Sequence, residues 1–164
     1  MNICYSNKWF KILKKGKQYI IKEKNDGIVV IIKEKNYFYL LFAYRVVINK
    51  MSLEIARGYK DENESDIEAV IREVKEEMNI KIKENEITYL GSVSPNNGIL
   101  NSCINVYLAE TKVDIKDIKP QKEENIKKII KLNEKWLKYC IRKNIIFDSF
   151  TLSSFMLYFS KKGK

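Results

Sequence analysis

Apolar and polar residues alternate loosely over residues 9–22, the pattern of one or two short strands. The Asn25-Asp26-Gly27 turn signal then leads into residues 28–32, a β-branched run suited to a buried strand. Residues 38–46 predict a further strand, with Lys35-Asn36 as the turn before it. Glu54-Ile55-Ala56-Arg57-Gly58 reads as a loop, and residues 61–65 as a polar one. The period then changes. Ile67, Val70, Ile71, Val74 and Met78 recur at steps of three and four, which is one apolar helical stripe. Ser65-x-x-Glu68 is a capping box, and Asn79 stands where a left-handed cap should close the helix, so a helix is predicted over about residues 66–78. Residues 86–93 and 103–109 read as strands around a Pro95-Asn96-Asn97-Gly98 turn. Residues 111–125, containing Pro120, read as charged irregular chain. Residues 133–143 predict a helix with Trp136, Leu137, Cys140 and Ile141 on one face. A last helix starts near Asp148 or Ser149, with Leu152, Phe155, Met156 and Phe159 along one side. Strands, a helix, more strands and closing helices predict an α/β (α+β) sandwich rather than a doubly wound sheet.

Length and composition narrow the class. The 164 residues suit one domain, and 45% hydrophobic with 32% charged residues describes a globular chain. No apolar run approaches the roughly 18–20 residues that span a bilayer. The first ten residues lack the continuous apolar stretch of a secretory signal. Cys4, Cys103 and Cys140 are too few and too scattered for a disulfide framework or a Cys-x-x-Cys zinc site, and a cytoplasmic location is expected. The chain has no histidine, which excludes Ser-His-Asp and Cys-His catalysis and any metal site built on imidazole. Chemistry here must run on carboxylates, lysines, hydroxyls or a metal held by oxygen. A net charge of +10 favours anionic partners, nucleotides or nucleic acid, although a lysine-rich coding bias explains the same excess.

The polar face of the central helix carries the most informative chemistry. Glu73, Glu76 and Glu77 stand at i, i+3 and i+4, so their carboxylates gather on one side. Like charges at that spacing destabilise a helix by roughly 0.2–0.5 kcal/mol per pair, which Arg72 and Lys75 offset in part and a divalent cation in full. Hard oxygen ligands without histidine select Mg²⁺ or Mn²⁺ over zinc. A solvated, salt-bridged surface accounts for the same spacing. Gly58 lets the backbone turn sharply and offers a carbonyl to a metal, with Glu64 six residues further on.

Gly58, five residues, Glu64, seven residues and then Arg72-Glu73-Val74-Lys75-Glu76-Glu77-Met78-Asn79-Ile80 resembles the signature of the Nudix hydrolases. Each fixed position is met except the penultimate one, where Asn79 replaces the helix-closing glycine. Outside the box, Phe42-Ala43-Tyr44-Arg45, Leu90-Gly91-Ser92-Val93, residues 106–110 and residues 141–152 are similar to segments of the ADP-ribose pyrophosphatase branch. The region around Asn101-Ser102 departs from that branch's acidic pattern.

The resemblance implies a Nudix-type α/β/α sandwich with a mixed sheet over residues 26–164. A short N-terminal strand segment, residues 1–25, precedes it and pairs two copies in a homodimer. It implies metal-dependent hydrolysis of a nucleoside diphosphate linked to another moiety, most like ADP-ribose or a nucleotide sugar, giving a nucleoside monophosphate and a sugar phosphate. By resemblance Glu73 and Glu77 are the principal Mg²⁺ ligands, Glu76 shares a metal or sits just behind the ligands, and the carbonyl of Arg57 or Gly58 completes the set. Arg72 orients the glutamates, and Glu64 is structural, with an exposed loop acid as its other reading. Arg45 contacts substrate phosphates, with an ion pair to Glu54 as its other reading, and Glu54 and Arg57 complete the substrate contacts. The general base falls to Glu124 or Glu123, with Glu110 as a fallback. Tyr5, Trp9, Phe10 and Tyr44 are expected in the core or stacked on a base, and Cys103 and Cys140 in the core. No membrane partner is expected. Two rivals are an RNA 5′-end pyrophosphohydrolase, suggested by the charge, and a non-catalytic nucleotide-binding module.

Overall fold

The computed structural model describes residues 1–113, 118–119 and 125–162. Its described strands are β1 (Asn2–Ser6), β2 (Phe10–Lys15), β3 (Gln18–Glu23), β4 (Gly27–Glu34), β5 (Tyr37–Arg45), β6 (Lys50–Glu54), β7 (Ala56–Tyr59), β8 (Ile87–Val93), β9 (Ile104–Glu110) and β10 (Ile126–Asn133). The helices are α1 (Asp66–Met78), α2 (Glu134–Arg142) and α3 (Ser149–Lys161). None of the described helices is long and apolar enough to cross a membrane.

The main sheet runs β10-β5-β4-β9-β8, and its one parallel pairing, β4 with β9, makes it mixed. Because side chains alternate across a strand, the apolar run Ile28–Ile32 of β4 feeds two cores. Ile28, Val30 and Ile32 pack with Val70, Val74 and Met78 of α1, and Val29 and Ile31 pack with Leu137 of α2 and Phe155 of α3. Helices therefore cover both faces, the α/β/α sandwich expected. Helix α1 occupies the predicted range. Ser65 accepts the Glu68 N–H in a reciprocal capping box, and Asn79 closes the helix at φ 57°. Asn tolerates that left-handed conformation better than other side chains, so it serves in place of glycine.

Strands β4 and β5 stay paired only near their hairpin, where residues 32–34 face residues 37–39. Beyond it they fork. The far part of β5 pairs with β6, the far part of β4 pairs with β7, and the two inserted strands turn into one another at Ile55. The loop expected from Glu54 to Gly58 is thus two strands, and β10 is a strand the pattern did not signal. Ser52, Glu54 and Arg57 are polar at buried or half-buried positions, and β10 carries Lys127 and Lys128 side by side, which hides the period-two alternation in each. The fork places Arg45, Glu54, Arg57 and Gly58 around one opening.

Strands β1, β2 and β3 form a separate three-stranded sheet. It is tied to the body through β3, where Ile21 exchanges backbone hydrogen bonds with Ile99 and Asn101. Every residue of β1 is exposed, and so are Tyr5 and Trp9, the latter by 61%, which removes both from the core. Cys103 and Met156 are likewise exposed, whereas Cys140 and Phe155 are buried as expected.

Candidate active site

Three consecutive residues of β7 dock on the acidic face of α1. The Arg57 N–H donates to Glu77 Oε2 at 3.1 Å, and the Tyr59 carbonyl accepts from Arg72 Nη2 at 2.8 Å. Between them, the Glu73 carboxylate lies directly over the Cα of Gly58: a Cβ there would stand 1.9 Å from Glu73 Oε1. Only glycine permits that approach. Glu73 and Glu77 are consequently 8% and 3% exposed, so this helix face is not simply a solvated surface.

Arg72 organises the acids. Its Nε and Nη2 bind the two oxygens of Glu64, each at 2.8 Å, while Nη1 reaches Glu73 at 2.7 Å and Glu76 at 3.1 Å. The Glu64 hydrogen bonds, and after them those of Glu73, raise the Arg72 pKa above the ordinary guanidinium value. In return, Arg72 holds the Glu64 carboxyl below the usual carboxylate range. Asp66, at the start of α1, accepts from Lys60 Nζ, Asn105 Nδ2 and Tyr107 Oη at 2.7–2.8 Å. Burial acts to raise its pKa, but these three donors outweigh burial and lower it. The loop between β7 and α1 is therefore pinned at both ends.

A second network crosses the fork. Arg45 Nε donates to Glu54 Oε2 at 2.9 Å, Arg57 lies 3.1 Å from the same oxygen, and Arg57 Nη1 reaches Asp148 at 3.0 Å. Antiparallel register explains the first pair. Leu41 faces Glu54 and Ala43 faces Ser52, so Arg45 and Glu54 share one face of the sheet. Glu54 is 2% exposed, and a carboxylate so buried needs such cations. Burial works against the Arg45 cation, but Glu54 outweighs it and raises the Arg45 pKa. Asp148 also caps α3 through Thr151, and the Arg57 guanidinium lies 4.8 Å from the centre of the Phe150 ring.

Residues of both networks line a cavity of about 550 Å³. Glu73, Glu77 and Gly58 form one wall, with Arg45, Arg57 and Phe150 further along it. Glu23 of β3 reaches it from the N-terminal sheet, accepting hydrogen bonds from Tyr59 and Ser102. Burial, then the Glu23 contact, pushes the Tyr59 hydroxyl up to about 12, so it remains a donor near neutral pH. Of the residues singled out from the sequence, Glu73, Glu77, Gly58, Arg45, Arg57 and Arg72 meet here. Glu76 does not line the cavity and pairs with Arg72 instead, and Glu54 holds the two arginines. Glu64 is bound by Arg72 and is not a free loop acid. Glu110 pairs with Lys33 at the opposite end of β4 and β9, five residues along from Ile28, about 16 Å at strand rise. Glu123 and Glu124 lie outside the described residues. Sequence reasoning missed Glu23 and Asp148 as site residues, because strand pairing and helix docking bring them in from opposite ends of the chain.

Among the described residues no three acids or cysteines converge as a ready-made metal cage. Two buried carboxylates in a lining without thiolate or imidazole nevertheless fit Mg²⁺, which takes one or two carboxylates and fills its remaining positions with water and phosphate oxygens.

No protein-family model matches the sequence, and no curated protein does either. Among solved structures, the crystal structure of an ADP compounds hydrolase matches at a TM-score of 0.69 and 18% identity, covering 97% of this chain and 89% of that chain. At that identity the likeness shows the fold, which is Nudix-like as expected.

Proposed function

We propose that the protein is a Mg²⁺-dependent Nudix-type hydrolase that cleaves the pyrophosphate bond of a nucleoside diphosphate linked to another moiety, ADP-ribose or a nucleotide sugar. The observation that carries this reading is the seating of Glu73 and Glu77 in the cavity wall, made possible by Gly58, with Arg45 and Arg57 lining the same space. A diphosphate presents clustered negative charge that repels an attacking hydroxide. Glu73 and Glu77, with the Gly58 carbonyl, would hold the divalent cation, and Mn²⁺ would serve the same ligands. The bound cation would neutralise the phosphates and lower the pKa of a water. Arg72 keeps the Glu73 carboxylate in place. Arg45 and Arg57 offer planar forks that suit phosphate oxygens, held in position by Glu54 and Asp148. Glu124 or Glu123 would take the proton from the attacking water.

The test is a panel of ADP-ribose, other nucleotide sugars, dinucleoside polyphosphates, nucleoside triphosphates and 5′-triphosphorylated RNA, assayed with Mg²⁺ against wild type and Glu77→Gln. Turnover of the nucleoside-diphosphate conjugates should fall by about 10²–10³-fold in the variant, with the thermal transition retained. Unchanged turnover would remove the metal role from Glu77. The net charge of +10 favours RNA as the second reading. An RNA substrate would show steep salt dependence, and a small nucleotide would not. The resemblance to the ADP-ribose branch and the exposed apolar side chains Ile3, Tyr5 and Tyr19 of the N-terminal sheet support a homodimer through that sheet.

A further inference from the structure

The N-terminal sheet concentrates charge. Residues 1–25 hold seven lysines and a single acid, Glu23, so six of the ten net positive charges of the chain fall there. A lysine-rich coding bias would raise lysine everywhere, but here the acids that accompany it elsewhere are missing. Strand register sorts these lysines by face. Lys11 stands directly opposite Lys22, and two residues further along β2 the apolar Ile3, Leu13 and Ile20 align across the three strands. Lys15 closes the same face, since residues two apart on a strand point the same way. At the other end the Lys24 N–H donates to the Trp9 carbonyl at 2.9 Å, which continues the β2–β3 ladder and adds both residues to that face. The face so made carries four lysines and no acid, whereas the opposite one carries Tyr5, Phe10, Tyr19, Lys14 and Glu23.

None of these four lysines forms an ion pair among the described residues. Like charges directly opposite one another, as at Lys11 and Lys22, work against strand pairing, and an anion lying along the face offsets that cost. Leu13 and Ile20 are partly buried between the lysines, so they form a flat apolar floor rather than side chains that could enter a bilayer. Trp9, 61% exposed, adds a ring at the edge, with the Lys8 ammonium 4.7 Å from its centre. A second copy docked on this face would set lysine against lysine, while Tyr5 and Tyr19 on the other face stay free to meet one. Three strands span two inter-strand spacings, about 10 Å. A floor of that width, lined by cations and edged by a ring, matches one strand of phosphates and flat bases. We propose that this face binds single-stranded nucleic acid, with phosphates against Lys11, Lys15, Lys22 and Lys24 and a base on Trp9. The assignment does not rest on the hydrolase reading.

The test follows the fluorescence anisotropy of a labelled oligouridylate of about twelve nucleotides, with EDTA present so that no turnover enters. Wild type is compared with the triple variant Lys11→Gln, Lys15→Gln, Lys22→Gln. A control of equal charge, Lys135→Gln, Lys143→Gln, Lys161→Gln, removes exposed lysines at the closing helices. Wild-type log affinity should fall against log salt with a slope of about −2 to −3, the release from three or four phosphates. The sheet variant should lose at least about tenfold in affinity and about two units of that slope, and the control less than about twofold. Both should keep the wild-type melting temperature, and Trp9→Ala should weaken binding by at least about fivefold. Equal losses in the two triple variants would reduce the effect to net charge and overturn the assignment. So would a fully paired duplex bound as tightly as the single strand, or no binding by the wild type. Capture on phosphatidylserine vesicles without oligouridylate binding would give the face to a membrane surface instead.

Discussion

Gly58 has no side chain because the Glu73 carboxylate occupies that space. The clash that Gly58→Ala creates is with the far end of a flexible side chain rather than with backbone. The fold should therefore yield at Glu73, displacing its carboxylate. Turnover should fall by about a hundredfold, the cost of an ångström-scale misplacement. Stability should change by less than about 1 kcal/mol. Urea denaturation alongside the activity assay separates the two, and a large stability loss with activity retained would contradict this account. At the same scale, Arg72 shows why acids at i, i+3 and i+4 are tolerated. One guanidinium satisfies Glu64, Glu73 and Glu76 together, and like-charge repulsion along the helix is offset by a cation the helix carries itself.

Among the elements, the end of the β4–β5 hairpin opposite the site carries its own electrostatic clasp. Glu34 accepts from Tyr39 Oη at 2.8 Å, from Lys131 of β10 at 3.1 Å and from the Val113 N–H at 3.3 Å. The Tyr39 bond first, then Lys131 and Val113, lower the Glu34 pKa from 4.5 to about 2. A depressed folded-state pKa gives stability that is fully present above the unfolded value and lost as pH falls through the folded one. Between pH 5 and pH 2 the wild type should therefore lose stability faster than Glu34→Gln, as chemical denaturation at each pH would reveal. Parallel pH profiles for the two proteins would dismiss the clasp. Turnover at neutral pH should be unaffected, since the clasp sits at the far end of the sheet from Glu73. The fork between β4 and β5 is the complementary feature. Their hydrogen bonds are given up to β6 and β7, and the opening so made holds the two arginines.

For the molecule as a whole, two sheets divide the work. The mixed sheet buries both faces under helices, whereas the β1–β2–β3 sheet leaves Ile3, Tyr5, Trp9 and Tyr19 in solvent. If a second copy covers them, sedimentation equilibrium should give about twice the 19.4 kDa chain mass. Tyr5→Lys combined with Trp9→Lys should return the mass to one chain without unfolding the mixed sheet. A wild-type monomer at micromolar concentration would argue against that role. Glu23 links the two sheets, because this β3 residue lines the cavity and accepts hydrogen bonds from Tyr59 and Ser102.

The sequence by itself determined what depends on neighbours in the chain. Helix α1, its capping box, its Asn79 terminus and the ladder of acids at i, i+3 and i+4 follow from local spacing. So does the buried β4, through its unbroken β-branched run. Only the tertiary structure decided which acids turn inward. Glu73 and Glu77 are buried because β7 lies across them, while Glu76, one residue from Glu77, is drawn to Arg72. Likewise, β6 was not legible, because Ser52 and Glu54 interrupt its apolar alternation at buried positions, and β10 was not, because the adjacent exposed Lys127 and Lys128 break the alternation. Glu54 meets Arg45 from β5 and Arg57 from β7, and Lys131 meets Glu34 from β4. A buried charge becomes tolerable only when a distant counter-charge arrives, and the order of residues along the chain does not carry that information.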